Sequence, residues 1–388
     1  MVRALLFYVI VVVIFLAGAF LFFQHSPSRQ APIVSQQKDL PAAAALSGAS
    51  SSLPTATSTA TTTEKQAPVT QIVKKSLNKA KIQQPTGTSG EAQRIHDPYP
   101  TPPEAFDQIN AEARDALINI LCEPQGGSSL NPISGSGVII DPRGVILTNA
   151  HVAQYVLLSE SPQINLKCSI RTGSPASPQW TATVLYIPSI WVSQHSGEIN
   201  TPHPTGTGEH DYALLYITGS TTGSPLPSSF PYLPVDTRSA IGFPGDQVLV
   251  ASYPAELVGG IAAQYNLFAD STVTSIKQLL TFGSGTPDVL SLGGVIEAQG
   301  GSSGGAVVNA WGRLIAIIAT TSEGSTTAER DLRGDSLNYI NSDLGVQTGL
   351  SLSSLLEQDP LVTAQKFSSI VAPGLIQLYV NSLSVQPN

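Results

Sequence analysis

The spacing of short apolar runs between turn-forming residues restricts the fold of this chain most. The runs are rich in Val, Ile, Thr and Tyr, and clusters of Gly, Pro, Ser and Asn separate them. The 33 Gly and 29 Pro imply many turns. Short strands at such intervals are typical of an all-β sandwich or barrel. We predict a helix at 104–116 and strands at 116–122, 137–140, 145–148, 164–170, 181–187, 212–217, 247–252, 270–276, 289–292, 305–308 and 314–320.

The N-terminal segment 4–23 consists of twenty residues without a charge. At a helical rise of about 1.5 Å per residue it would span roughly 30 Å, the thickness of a bilayer core. Met1 and Arg3 place positive charge on its N-terminal side, which predicts a cytoplasmic N-terminus and an exported body. The sequence Ala-Gly-Ala at 17–19 also resembles a signal-peptide cleavage site. We favour an uncleaved anchor at 1–25, and a cleavable signal peptide remains the alternative.

The segment that follows is rich in Ser, Thr, Ala, Pro, Gln and Lys. Such a composition buries too little apolar surface to offset the entropy of ordering, so we predict a disordered stalk. A short helix at 72–82 is the one element expected there. The predicted divisions are a stalk at 26–103, a folded domain at 104–342 with a crossover near 220–245, and a helical tail at 343–388.

Charge is divided unevenly along the chain. Residues 1–100 hold nine Lys or Arg and four Asp or Glu, a net charge of +5, whereas residues 101–388 hold ten and 23, a net charge of −13. The acidic body argues against nucleic acid as a partner.

The chain has no Asn-x-Ser/Thr site for N-glycosylation, which favours a bacterial cell envelope over a eukaryotic secretory route as the location. Two cysteines fit no metal motif, and we expect neither a metal nor a cofactor.

One run of small residues has the composition that an acyl-transfer nucleophile needs. Ser303 stands in Gly301-Ser302-Ser303-Gly304-Gly305. Small neighbours let a substrate carbonyl approach the hydroxyl. They also let the backbone turn so that the N–H groups of Gly301 and Ser303 point at one oxyanion. Taken alone, the run is equally consistent with a Gly/Ser-rich loop.

Two further segments supply a base and a carboxylate. His151 follows a predicted strand–turn–strand whose turn, 141–144, has the sequence Asp-Pro-Arg-Gly. An imidazole with a pKa near neutrality can take a proton from a serine hydroxyl and return it to a leaving amine. Asp211 opens the apolar run 211–217. Each residue alone would be interpreted as structural, but histidine, aspartate and serine in this order suggest a catalytic triad.

The sequence around these residues resembles the trypsin-like serine peptidases of the chymotrypsin fold, and in particular the bacterial HtrA-type branch. In that branch a strand–turn–strand leads into a T-N-x-H-V segment, which 148–152 matches. The D-x-A-L-L and G-x-S-G-G segments match 211–215 and 301–305. The resemblance implies two six-stranded antiparallel Greek-key barrels with the site between them. The tail at 343–388 is too short for the PDZ domain of many HtrA-type proteins, and it would pack on the barrels or aid oligomerisation.

The resemblance also implies the role of each site residue. Ser303 would be the nucleophile and His151 the general base and acid, while Asp211 would accept the imidazole Nδ1 proton and fix the tautomer. Ser302 occupies the position where relatives activated by zymogen cleavage carry aspartate, so that kind of activation is not expected. His210, which is adjacent to Asp211, is predicted to have no part in catalysis.

Substrate contacts are assigned by the same comparison. Glu297 lies six residues before Ser303, where trypsin-like enzymes hold the residue at the base of their first specificity pocket. A carboxylate there would select Lys or Arg, whereas a shift of one residue would turn Glu297 to solvent. The strand at 316–321 would pair with an extended substrate, which assigns Ala316 and Thr320 to substrate binding.

Two more expectations depend on the implied fold. Cys122 and Cys168 fall in the first and fourth strands, which are neighbours in this kind of barrel. They would either pair as a disulfide outside the cytoplasm or stay as two buried thiols. The stretch 189–208 is loop-like and would be a lid or specificity loop.

The sequence thus predicts a membrane-tethered serine endopeptidase, single-pass in the cell membrane, with its catalytic domain in the periplasm or extracellular space. It would hydrolyse peptide bonds of unfolded or extended polypeptides through an acyl-enzyme, with envelope protein quality control as a candidate role. The expected partners are polypeptide substrates and the membrane. One alternative is a catalytically silent binding or scaffold protein of the cell envelope. The other is a latent enzyme in which a partner must remodel the oxyanion loop 299–301.

Overall fold

The computed structural model of this chain describes its C-terminal three quarters with short gaps. The residues described are 94–95, 97–126, 130–201, 206–239, 241–283, 285–322, 324 and 326–385. The predicted anchor, the helix at 72–82 and most of the stalk lie outside them. Within these ranges, no helix combines the length and the apolar character needed to cross a membrane.

Six antiparallel strands close a barrel in the first half of the folded domain. Their order around the barrel is β1-β2-β3-β6-β5-β4. The turn between β2 and β3 falls at the predicted position, where Gly144 has φ of 91°, a conformation that glycine adopts without steric cost. The strands are β1 (Leu117–Pro124), β2 (Ile133–Asp141), β3 (Val145–Thr148), β4 (Leu166–Thr172), β5 (Ser177–Tyr186) and β6 (Ala213–Ser220).

Seven antiparallel strands form the second sheet, which is a half-barrel. Their order is β8-β7-β11-β12-β13-β10-β9, and the two end strands do not pair with each other. The all-β, chymotrypsin-like fold is confirmed, but the second unit is an open sheet of seven strands where we expected six closed ones. The strands are β7 (Gln247–Ser252), β8 (Asp270–Ser275), β9 (Gln278–Leu280), β10 (Val289–Gly293), β11 (Ala306–Asn309), β12 (Leu314–Thr321) and β13 (Leu332–Ser336).

Two strands of the half-barrel have no recognisable sequence pattern. β13 reads Leu-Arg-Gly-Asp-Ser, without apolar alternation, and it forms because β10 and β12 pair with it on both sides. β9 has three residues and pairs with β10. Tertiary pairing, rather than local β-propensity, creates both strands.

Helices cover the ends of the sheets. Helix α1 (Phe106–Ala116) confirms the helix predicted at 104–116. Helix α2 (Ala150–Ser159) begins directly after β3 and was not predicted. Helix α3 (Ser189–His195) falls in the stretch predicted as a loop, and it buries Trp191 and Val192 in the core of the first barrel. This part of 189–208 is therefore core structure rather than a lid. The other helices of the body are α4 (Gly260–Tyr265) and the 3-10 turns Ser196–Glu198, Ala255–Leu257 and Thr327–Glu329.

The C-terminal segment is helical, as predicted, and its last helices pack on the first barrel. Phe367, Leu375 and Tyr379 belong to the same buried cluster as the barrel core. Arg143, in the turn between β2 and β3, donates a hydrogen bond of 3.0 Å to the carbonyl of Gln358. The elements are α5 (Leu337–Thr348), α6 (Leu352–Leu356), α7 (Pro360–Lys366), the π-helix Phe367–Val371 and α8 (Ala372–Val385).

A disulfide joins β1 to β4. Cys122 and Cys168 are direct partners in the register of these two strands, and the structure bonds their sulfurs across a sequence separation of 46 residues. The cross-link restricts the unfolded chain, and for a loop of this length the entropic stabilisation is about 4 kcal/mol.

Replacing both cysteines by alanine should therefore lower the free energy of unfolding by about 4 kcal/mol, measured by urea denaturation. Reduction with dithiothreitol should lower the stability of the wild type similarly and leave the double variant unchanged. Equal stability of the oxidised and reduced wild type would show that Cys122 and Cys168 do not pair.

Candidate active site

His151 and Asp211 are bound to each other through two atoms each. His151 is the second residue of α2, so the turn from β3 into the helix presents its ring beside Asp211, which lies two residues before β6. The Asp211 Oδ1 accepts the main-chain N–H of His151 at 2.9 Å, and Oδ2 lies 2.6 Å from the imidazole Nδ1. Both the start of the helix and the orientation of the ring are therefore fixed by one carboxylate.

The electrostatics of this pair favour a protonated imidazole. Burial of the His151 ring lowers its pKa, but the charge of Asp211 and its hydrogen bond together outweigh that effect. The pKa of His151 is accordingly raised above its ordinary value. An imidazolium that forms during proton transfer is stabilised by the same contacts.

A tight loop presents Asp211 to His151. The Asp211 N–H donates to the carbonyl of Gly208 at 3.0 Å, and His210 has φ of 60°, which is uncommon for a residue other than glycine. His210 turns towards α5, where its Nδ1 lies 3.0 Å from Asp343 Oδ1. The structure thus brings Asp211 to His151 and directs the neighbouring His210 elsewhere.

A second buried carboxyl group lies near Asp211. Asp335 on β13 is 1% exposed, and neither of its carboxyl oxygens forms a hydrogen bond within the described chain. Burial, and then the charges of Asp211 and Asp288, raise the pKa of Asp335 well above its ordinary value. The neutral form that this favours adds no second negative charge beside Asp211. Sequence analysis did not find Asp335, because nothing near it in the chain indicates a strand.

The two adjacent serines of the nucleophile run have different surroundings. Ser302 is 1% exposed, and its Oγ accepts a hydrogen bond of 2.9 Å from Ser252 in the core. Ser303 is partly exposed and lines a cavity. Only Ser303 of this pair can therefore meet a substrate.

The backbone around Ser303 leaves two N–H groups available. Gly301 has φ of 96°, and Gly304 has φ of 84°, so both adopt the left-handed conformation that glycine favours. Within the described residues, neither the Gly301 N–H nor the Ser303 N–H donates to another protein group. These are the two donors that the sequence assigned to an oxyanion hole.

Ser136 on β2 holds the nucleophile loop from the opposite barrel. Its N–H donates to the Ser303 carbonyl at 2.7 Å, and its Oγ donates to the Gly301 carbonyl at 2.8 Å. The same Oγ accepts the Tyr253 N–H at 2.9 Å. Sequence analysis did not identify Ser136. The available signal was the pair of glycines on either side of it, because glycine inside a strand often marks a close approach of another backbone.

A cavity of about 130 Å³ opens beside Ser303. Three residues were predicted to bind the substrate. Thr320 lines this cavity, whereas Glu297 and Ala316 do not. Ala316 is buried and paired on both sides, with Val307 and Ser336, so its backbone is not open to a substrate. Among the residues in the wall are Ser303, Ile318, Ala319, Thr320, Gln299 and Arg330.

Glu297 points neither into the cavity wall nor to solvent. It is fully buried, and neither oxygen of its carboxyl group has a hydrogen-bond partner within the described chain. Burial raises its pKa to about 7. The structure thus buries this carboxyl group outside the lining of the cavity beside Ser303, and its role in substrate selection stays a prediction.

Comparison with known proteins identifies the domain. The family model described as "Trypsin-like peptidase domain" matches residues 135–317, a range that contains His151, Asp211 and Ser303. No curated protein matches the chain. The match agrees with the closed six-stranded barrel and the half-barrel described above. Residues 135–317 of this chain are therefore a trypsin-like peptidase domain.

Proposed function

We propose that this chain is a serine endopeptidase that hydrolyses peptide bonds through an acyl-enzyme. The observation that carries the proposal is the Asp211 carboxylate, which binds both the main-chain N–H and the imidazole of His151. That contact occupies Nδ1, so in the proposed enzyme the remaining nitrogen, Nε2, serves Ser303, the one serine of the nucleophile run that lines the cavity. A neutral structural histidine would not need such an arrangement.

The reaction follows from the roles of these groups. Ser303 Oγ attacks the carbonyl carbon of the scissile bond while His151 Nε2 takes the hydroxyl proton. The negative charge that develops on the carbonyl oxygen is stabilised by the Gly301 and Ser303 N–H groups. The protonated His151 then gives its proton to the leaving amine, and the acyl-enzyme forms. Water, deprotonated by His151, attacks the acyl carbon and releases the carboxylic acid and the serine hydroxyl.

The location we propose is outside the cytoplasm, tethered to the cell membrane. The uncharged segment 4–23 supports an anchor, and the composition of 26–103 supports a stalk that lets the domain reach substrates. The disulfide between Cys122 and Cys168 supports an oxidising compartment. Unfolded polypeptides of the cell envelope are the proposed substrates, and protein quality control is the proposed role. Membership in the HtrA-type branch stays a prediction.

Labelling with a fluorophosphonate tests the enzyme. The full chain should take up one probe molecule per protein, because a fluorophosphonate reacts with a serine that an adjacent base activates. Ser303→Ala should abolish the labelling, while Ser302→Ala should retain it. Equal labelling of Ser303→Ala would assign the nucleophile to another serine. No labelling, together with no hydrolysis of an unfolded protein substrate, would favour the silent scaffold or the latent enzyme.

A further inference from the structure

The cavity beside Ser303 contains two charged side chains, Arg330 and Glu256. In a pocket next to a nucleophile, the charge that lacks a partner decides which substrate side chain is accepted, because an unpaired charge removed from water is costly. The hydrogen bonds of each residue show which charge this is.

Arg330 is held only by neutral acceptors. Its Nη1 donates to the Ala298 carbonyl at 2.8 Å and to Gln299 Oε1 at 2.9 Å, and its Nε lies 3.4 Å from the Gly324 carbonyl. Nη2 has no acceptor within the described chain. No described carboxylate lies within 4.0 Å of the guanidinium. Arg330 is thus a positioned, partly buried cation with two N–H groups available to a ligand.

Glu256 is placed differently. It is exposed to solvent, and its Oε2 already accepts the Gly300 N–H at 2.7 Å. Solvent and this hydrogen bond therefore stabilise its charge without a substrate. Glu297, the carboxyl group that would have selected a basic side chain, does not line the cavity.

We propose that Arg330 determines the specificity of this pocket and selects an acidic side chain, Asp or Glu, at the residue whose carbonyl Ser303 attacks. The inference rests on the proposed peptidase function. A carboxylate would pair with the free edge of the guanidinium through charge-assisted hydrogen bonds. Lys or Arg at that position would bring a like charge against Arg330. Neutral Gln would leave the guanidinium without a counter-charge, and its hydrogen bonds to Arg330 would be weaker than those of a carboxylate.

The test uses peptides that differ only at the residue before the cleaved bond, with Glu, Asp, Gln, Leu or Lys there. We expect kcat/KM for Glu or Asp to exceed that for Gln and Lys by about 100-fold, the effect expected when a hydrogen bond between two charged groups is lost. Arg330→Gln should remove this difference. Arg330→Lys should restore part of it, since it keeps the charge and lacks the planar fork. Glu256→Gln, the control for the other charge, should retain or increase the acidic preference.

The same peptides should be bound to the full chain carrying Ser303→Ala and followed by fluorescence anisotropy. That measurement reports the pocket even if no peptide is cleaved. Preferred binding and cleavage of Lys, lost in Glu256→Gln, would overturn the inference, and so would an acidic preference that survives Arg330→Gln. Fluorophosphonate labelling does not depend on this side chain. A labelled enzyme without acidic preference would contradict the pocket assignment alone, whereas an unlabelled chain would contradict the peptidase function.

Discussion

Replacing Ser303 with alanine should lower kcat for peptide hydrolysis by about 10⁶-fold, as expected when a nucleophile that works as a unit with its base is removed. His151 and Asp211 would remain in place, but no group could form the acyl-enzyme. Binding and the oxyanion donors would sustain a small residual rate above that in water. Single-turnover kinetics with the peptide substrates would measure the loss.

Ser302→Ala is the matched control for this variant. The Ser302 hydroxyl accepts a hydrogen bond from Ser252 in the core. Its removal should therefore lower the free energy of unfolding by about 1 kcal/mol and leave kcat within a few-fold of the wild type. A large loss of rate in Ser302→Ala with an active Ser303→Ala would show that the nucleophile was assigned to the wrong residue.

Replacing Asp211 with asparagine should lower kcat by about 10⁴-fold. The carboxylate accepts from both the main-chain N–H and the Nδ1–H of His151. An amide has only one accepting atom, so when its oxygen accepts the main-chain N–H, its NH2 group faces the ring and donates to Nδ1. The ring then holds the wrong tautomer, and Nε2 no longer takes the Ser303 proton. Steady-state kinetics give the loss, and an unchanged circular dichroism spectrum would exclude unfolding as its cause.

The pH dependence of the same variant provides an independent measurement. Wild-type kcat/KM should fall as the pH drops through the pKa of His151, because only the neutral imidazole accepts the serine proton. Asp211 raises that pKa, so its charge moves the acid limb to higher pH. Asp211→Asn removes the charge, and the limb of its residual activity should lie at lower pH. Coincident limbs in the two proteins would contradict the assignment of Asp211.

The sequence predicted those parts of the site that can be recognised from residues adjacent in the chain. Ser303 is surrounded by small residues because a nucleophile needs open space, and His151 follows two regular strands. Most strands of both sheets were recognisable because clusters of turn-forming residues separate their apolar runs. In these cases the local pattern and the tertiary structure favour the same conformation.

The parts that could not be predicted depend on contacts between distant segments. β13 is polar in sequence and exists because two neighbours pair with it, so neither the strand nor Asp335 was expected. Arg330 lies in an irregular segment, and only the fold brings it to the carbonyl of Ala298. Glu297 was placed by counting from Ser303, and a count along the chain does not give the direction of a side chain.

The hydrogen bonds of Ser136 across the two sheets link catalytic competence to the completion of folding. The first barrel supplies His151 and Asp211, whereas the half-barrel supplies Ser303, and Ser136 ties the loop of the one to a strand of the other. A chain that has folded only its first barrel has a base without a nucleophile. In the proposed enzyme, the capacity to hydrolyse peptide bonds should therefore arise only after both sheets have folded, and a partly folded chain would not digest itself or its neighbours.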